Sequence, residues 1–398
     1  MSFGSLYSDQ SVNVLDGGLG TTLEDIFHED IAHTPLWSAK SIDENSETLI
    51  QVHLSFLGAG ARTILTSTYQ CAFTTFERAG YSREDATRIM RKSVEVAREA
   101  KRRFCDQNRN VLPGDIRIAL SLGPFGATLY PAQEFDGFYP PPYGPKAFSS
   151  SGQNENVFGD DVAQRESSID ALAHFHSERL QVFTSDRECW DAVDCIAFET
   201  VPLAREVKAI RRAMGMLGGA VADNGEWKPW WISTVFPGGH YPERKTPGGE
   251  YLSASEVLNA VLGEENDGRI GEVVRQPLTL PSGIGINCTG IEFLPDLLSD
   301  FERALNNAEE KARLGGRPWL VLYPNGGDVY DPVSRTWRGS NETQKGRVWG
   351  EQLGQIVDSA RGNGTWGGIL VGGCCRTGPA EIRALVDALR LPSAELCP

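Results

Sequence analysis

Apolar residues in this chain collect into short, nearly continuous runs separated by longer amphipathic stretches. Eight runs read as strands: 12–18 (VNVLDGG), 62–69 (RTILTSTY), 116–124 (IRIALSLGP), 194–202 (DCIAFETVP), 230–236 (WWISTVF), 283–290 (GIGINCTG), 318–327 (PWLVLYPNGG) and 367–375 (GGILVGGCC). Their cores do not alternate between apolar and polar, which suits parallel strands covered on both faces. Between them the apolar spacing becomes helical. Residues 82–104 open on Ser82 as N-cap and carry basic residues in the last turns; 167–186 and 379–389 are similar. Eight alternations of strand and helix predict an α/β fold, a (β/α)8 TIM barrel. The competing arrangement is a doubly wound open sheet. The glycine-rich stretch 16–24 (DGGLGTTLE) lacks both the G-x-G-x-x-G spacing and the lysine of a nucleotide loop, which favours the barrel.

Two regions break the alternation. Residues 131–166 are rich in Pro, Gly, Ser and aromatics; 237–252 are alike, and 264–281 are polar and charged. They read as loop insertions, about 131–166 and 237–281, within one domain spanning 1–398. Their aromatics would form either a lid or ordered surface packing.

Composition narrows the function. At 398 residues and 40% hydrophobic content the chain can bury a large core, and its formal charge of −15 repels phosphate backbones. No basic segment followed by an apolar stretch opens the sequence, and no eighteen apolar residues run together. The expectation is a cytoplasmic monomer or weak dimer acting on small molecules, with neither nucleic acid nor membrane as partner. Eight cysteines scattered through such a chain point to metal ligation, catalysis or burial rather than a disulfide framework.

In a barrel of this kind the active site lies at the C-terminal strand ends. The runs end in Asp16-Gly17-Gly18, Thr66-Ser67-Thr68-Tyr69, Gly123-Pro124, Glu199-Thr200, Ser233-Thr234, Asn287-Cys288, Pro324-Asn325-Gly326 and Gly372-Gly373-Cys374-Cys375. One rim thus collects two carboxylates and three thiols. Cys288, Cys374 and Cys375 would hold Zn²⁺ with a fourth position open, the mark of a catalytic site. The adjacent pair needs an irregular backbone, which Gly372 and Gly373 would allow. The alternative is that all three are buried small hydrophobes. Cys71, Cys105, Cys189, Cys195 and Cys397 read as ordinary burial. Soft ligands suit a soft substrate: a thiol entering the open position would be deprotonated and nucleophilic. Asp16 and Glu199 would clamp an ammonium group, and Gly17, Gly18, Ser67 and Thr68 would meet the carboxylate of a zwitterionic amino acid. None of the six histidines ends a strand, which speaks against a Ser or Cys hydrolase.

Taken together, LDGGLGTTLE, TSTYQ, GPFGA, AFETVP, GINCTG, YPNGG and GGCCRTGPAEIRAL resemble the homocysteine S-methyltransferases, from residue 14 to about 390. The resemblance implies a zinc-holding barrel whose three ligands match Cys288, Cys374 and Cys375. It implies homocysteine as acceptor and methionine as product, with ammonium contacts matching Asp16 and Glu199. Asn287 joins the expected substrate contacts with Gly17, Ser67 and Thr68. Where the family usually has Asn, this chain has Ser67. Betaine-using members carry a long C-terminal arm, whereas this chain ends at Pro398, so the expected donor is a sulfonium, S-methylmethionine or S-adenosylmethionine. Tyr69, Phe125 and Tyr139 are candidates to face that cation. Rival readings are a redox-sensing zinc or thiol barrel, a betaine-type donor, and a hydrolase built on Asp16 and Glu199.

Overall fold

The computed structural model describes residues 2–8, 11–31, 34–224, 226–263, 278–306, 316–327, 329–331, 336–338 and 345–391. Cys397 and most of the segment 264–281 lie outside them. All eight expected strands form: β1 (Val12–Val14), β2 (Thr63–Leu65), β3 (Arg117–Leu122), β4 (Cys195–Val201), β5 (Trp230–Thr234), β6 (Gly283–Asn287), β7 (Trp319–Tyr323) and, after the two-stranded antiparallel ribbon β8 (Val329–Asp331) and β9 (Thr336–Arg338), β10 (Ile369–Val371). The parallel order is β1-β10-β7-β6-β5-β4-β3-β2. A parallel bridge between Leu15 and Thr63 joins the first strand to the second and closes the barrel. The (β/α)8 expectation holds, and the ribbon is an addition to it.

Burial on both faces explains the unbroken apolar runs. Strand side chains pointing outward pack under the helices in the main core. Those pointing inward, among them Leu15, Leu65, Ala119, Cys195, Ala197, Trp231, Val321 and Leu370, form a second core inside the barrel. Its floor is laid by a four-residue helix, Phe3–Leu6, that the sequence did not announce. Phe3 meets the rings of Trp231 and Trp319 at 6.0 and 5.8 Å, and Tyr7 reaches Trp319 at 5.4 Å while bonding Thr63 Oγ1 at 2.9 Å. Tilted and edge-on rings at these separations gain beyond simple area burial.

The helices follow their caps. Ser82 accepts from Asp85 N and starts helix Arg83–Gln107, as expected. That helix runs past residue 104, so its basic residues sit inside its end rather than on it. They pair laterally instead: Arg102 with Glu99 and Asp106, Arg103 with Glu47. Helix Val162–Thr184 starts earlier than its apolar period suggests, with the Asp161 side chain accepting from Gln164 N at 2.9 Å. The last residues of the expected 131–166 loop are therefore helical. In 237–252 the chain is irregular apart from a short turn at Pro237–Gly239 and a bridge between Arg244 and Tyr251.

One buried carboxylate fastens these pieces. Glu206 accepts from Phe125 N at 2.7 Å, the Tyr139 hydroxyl at 2.7 Å and His176 Nε2 at 3.0 Å. Burial lowers the His176 pKa, so a neutral ring donates to Glu206. The bonds join helix Ala204–Asn224, helix Val162–Thr184 and the loop after β3. Glu206→Ala leaves three sealed donors unpaired and is expected to cost about 3–5 kcal/mol, read as a lower urea midpoint at unchanged slope.

Candidate metal centre

Past Val371 the chain leaves the barrel through a gap too narrow for side chains. A Cβ on Gly372 would lie 2.5 Å from Asp16 O, and one on Gly373 would lie 2.1 Å from Thr377 Oγ1. The backbone is then tied on both sides. Gly373 N donates to Asp16 O at 3.1 Å, Cys374 N to Pro324 O at 2.8 Å and Gly326 N to Cys375 O at 2.9 Å. The Thr377 amide and hydroxyl both bond Cys374 O, while Gly18 N donates to Thr377 O at 2.8 Å. The irregular backbone expected at Gly372 and Gly373 lies elsewhere. Neither has a positive φ; Cys288 (48°) and Arg376 (61°) do. The two glycines are required by closeness, and the left-handed conformations flank the thiols.

These turns bring the three predicted sulfurs together. Cys288, Cys374 and Cys375 present Sγ atoms all within 4.8 Å of one another, and Cys288 and Cys375 are 3.9 Å apart. Three sulfurs on a tetrahedral zinc, with bonds of about 2.3 Å, would be about 3.8 Å apart. The donor set and its spacing therefore fit a thiolate-ligated metal with one position open. Hydrogen bonds from the Cys288 and Cys375 thiols hold Cys374 well below the ordinary thiol pKa, and the same contacts push Cys288 up. Cys71, Cys189 and Cys195 are buried, as expected, with their pKa values raised by burial, whereas Cys105 is only half-buried.

Both carboxylates lie beside the thiols. Asp16 is 1% exposed; its Oδ2 accepts from Leu65 N at 2.8 Å and its Oδ1 is sealed without a partner. Glu199 is buried and takes a hydrogen bond from the Ser121 hydroxyl. Tyr323 also contacts Glu199, and accepts from Trp231 Nε1 at 3.2 Å. Desolvation pushes Glu199 up to about 8 and Asp16 well above the usual carboxylate range, the latter also by the Glu199 charge. Cys374 adds to both shifts, so thiols and carboxylates occupy one site. This is the opposite of the arrangement that a carboxylate-only hydrolase needs. Because both groups are raised in the folded chain, the stability they contribute is lost as pH climbs from the carboxylate range towards 8.

Asn287 couples the two halves. Strand pairing slips between Phe198 and Val201, and Thr200 takes φ 58°. Asn287 Oδ1 accepts from Thr200 N and its Nδ2 donates to Thr200 Oγ1, both at 2.8 Å, while Nδ2 also lies 3.9 Å from Cys374 Sγ. Ser67 has a buried hydroxyl without a partner. Thr68 is spent on structure, bonding Thr66 Oγ1 at 2.6 Å and Ser121 O at 2.7 Å. Gly17 is hemmed in, since a Cβ would lie 2.4 Å from Thr377 O; Gly18 gives its amide to Thr377. Phe125 and Tyr139 pack edge to face at 5.2 Å, and Tyr139 is held by Glu206. Tyr69 lies nearer the thiols, with Cys288 and Glu199 both raising its pKa after burial. Thr200 was read only as a rim residue beside Glu199, and Ser121, Tyr323 and Thr377 were not singled out from the sequence. Each is a polar residue in or beside an apolar run, the one signal that pointed to it.

The chain matches the family described as homocysteine S-methyltransferase over residues 13–389. Homocysteine S-methyltransferase 1 of Arabidopsis thaliana is 29% identical over 383 residues, 95% of this chain and 93% of that protein. Homocysteine S-methyltransferase YbgG of Bacillus subtilis is 30% identical over 377 residues, 94% of this chain and 92% of that protein. The metallated form of the homocysteine methyltransferase MmuM from Escherichia coli superposes with a TM-score of 0.62 at 25% identity, covering 97% of this chain and 98% of that one. With three thiols meeting at the rim of a closed eight-stranded barrel, and a match running from the first strand past the last, this chain belongs to the homocysteine S-methyltransferase family.

Proposed function

We propose that the protein is a zinc-dependent methyltransferase that moves a methyl group from a sulfonium donor, S-methylmethionine or S-adenosylmethionine, to the sulfur of L-homocysteine, giving methionine. The observation that carries this reading is the convergence of Cys288, Cys374 and Cys375 within 4.8 Å beside two buried carboxylates, in a chain of this family. Cys288, Cys374 and Cys375 would hold a zinc ion, which would supply the Lewis acidity that lowers the pKa of an incoming thiol, otherwise mostly protonated at neutral pH.

The protein residues do the rest. Asp16 offers the unpartnered Oδ1 and Glu199 its carboxylate to the homocysteine ammonium, and the arriving cation draws off the proton that burial favours. Ser67 offers its free hydroxyl to the substrate carboxylate. Asn287 keeps the strand bearing Glu199 in register with Cys374, so amino group and sulfur are fixed at once. The acceptor then meets the donor methyl in line, and most of the rate gain is positional. The proton released from the homocysteine thiol passes to solvent water, and the donor sulfur leaves as a neutral thioether, so no general base on the protein is needed.

Three outcomes test this. Cys288→Ala or Cys374→Ala removes one of three metal ligands and is expected to lose zinc and methionine formation together, read by metal analysis and product assay. Normal turnover in metal-free variant protein would sink the reading. Glu199→Gln is expected to raise the KM for homocysteine by about 10- to 100-fold, the loss of a charge-assisted hydrogen bond, with zinc content unchanged. With homocysteine as acceptor, the sulfonium donors are expected to support turnover and betaine to give none.

A further inference from the structure

The loop following β3 carries a carboxylate that the acceptor site does not use. Its backbone is held closely. Gln133 N donates to Gly126 O at 2.9 Å, and a Cβ on Gly126 would lie 2.5 Å from Gln133 O and 2.8 Å from Glu134 N. Gly137 N closes the turn on Gln133 O at 2.9 Å. Glu134 is thus fixed, although it sits in an insertion. The residue is half-buried, yet its Oε2 is sealed from solvent and has no hydrogen-bond partner. Burial pushes its pKa up to about 7. The same loop packs on the rim, since a Cβ on Gly123 would lie 2.8 Å from the Tyr69 ring, and the Glu134 charge reaches both the Tyr69 hydroxyl and the Cys375 thiol.

Counting charges shows why this matters. Homocysteine brings one ammonium group, and Asp16 and Glu199 are enough to hold it. A third desolvated carboxylate within electrostatic reach of the same centre is costly unless a second cation arrives. A sulfonium amino acid brings two, the sulfonium and its own ammonium. The sulfonium charge vanishes as the methyl moves, so an anion set against that sulfur would stabilise the ground state more than the transition state. The ammonium charge persists throughout, and an anion placed there binds both states equally.

We propose that Glu134 is the donor-recognition residue, accepting hydrogen bonds from the α-ammonium group of an amino-acid sulfonium while Asp16 and Glu199 serve the acceptor. This selects donors that carry N–H groups and disfavours a quaternary ammonium, which has none to offer. The inference rests on the methyl-transfer reading above, and its test separates the two.

The probes are S-methylmethionine and (3-carboxypropyl)dimethylsulfonium, the same sulfonium without the amino group. For Glu134→Gln the KM for S-methylmethionine is expected to rise about 10- to 100-fold, with zinc content and homocysteine KM within about threefold of the parent. The desamino sulfonium should bind the parent more weakly and lose little further in the variant. Calorimetric titration of each sulfonium into zinc-loaded protein gives the same comparison without turnover. If the parent makes no methionine, the methyl-transfer reading fails, and the calorimetric comparison still decides the role of Glu134. Equal loss for both sulfoniums, a rise in homocysteine KM instead, or parent protein that binds neither sulfonium would overturn the assignment.

Discussion

The hydrogen bonds that knot the end of β10 onto the end of β1 are what the rest of this site depends on. Thr377 gives both its amide and its hydroxyl to Cys374 O and takes the Gly18 amide on its own carbonyl. Adjacent cysteines on a regular strand would point to opposite faces. Here the chain is arrested just beyond the strand and forced into a turn, so Cys374 and Cys375 both face Cys288. Sulfurs that would repel one another as anions are held in place by backbone that cannot relax. The left-handed conformations at Cys288 and Arg376 carry the local strain of that arrangement.

The same logic extends to the substrate side. Asp16 ends the strand onto which the knot is tied, and its Oδ2 bonds the neighbouring strand at Leu65 N. Glu199 sits where the pairing of β4 and β5 slips, and Asn287 bridges that slip to the thiols. The two carboxylates and the three thiols are therefore tied into one hydrogen-bonded frame. A barrel supplies this economically, because eight strand ends converge on one rim while the helices outside bear the folding energy.

Much of this was legible in the sequence, for identifiable reasons. Strands buried on both faces have no polar positions to confuse the pattern, and all eight were found. Cysteines at strand ends are conspicuous because thiol chemistry is rare there. The floor helix Phe3–Leu6 was not legible, since four residues show no period and its partners, Trp231 and Trp319, are more than two hundred residues away in the chain. The start of helix Val162–Thr184 was hidden because its first turns are polar, and only the Asp161 cap reveals it. Ser121, Thr200 and Thr377 acquire meaning only from what they touch. Glycines at 372 and 373 were noticed for the wrong reason: sequence shows that a side chain is missing but not whether rotation or space demands it.

The aromatic floor has a consequence for traffic. Phe3, Tyr7, Trp231 and Trp319 are all at most 7% exposed and plug the base of the barrel. Among the described residues the base of the barrel is sealed, which leaves the rim of C-terminal strand ends as the approach to the sulfurs. On the proposed reaction, acceptor and donor would share that one opening, and the product formed at the sulfurs would leave past the place the donor had held.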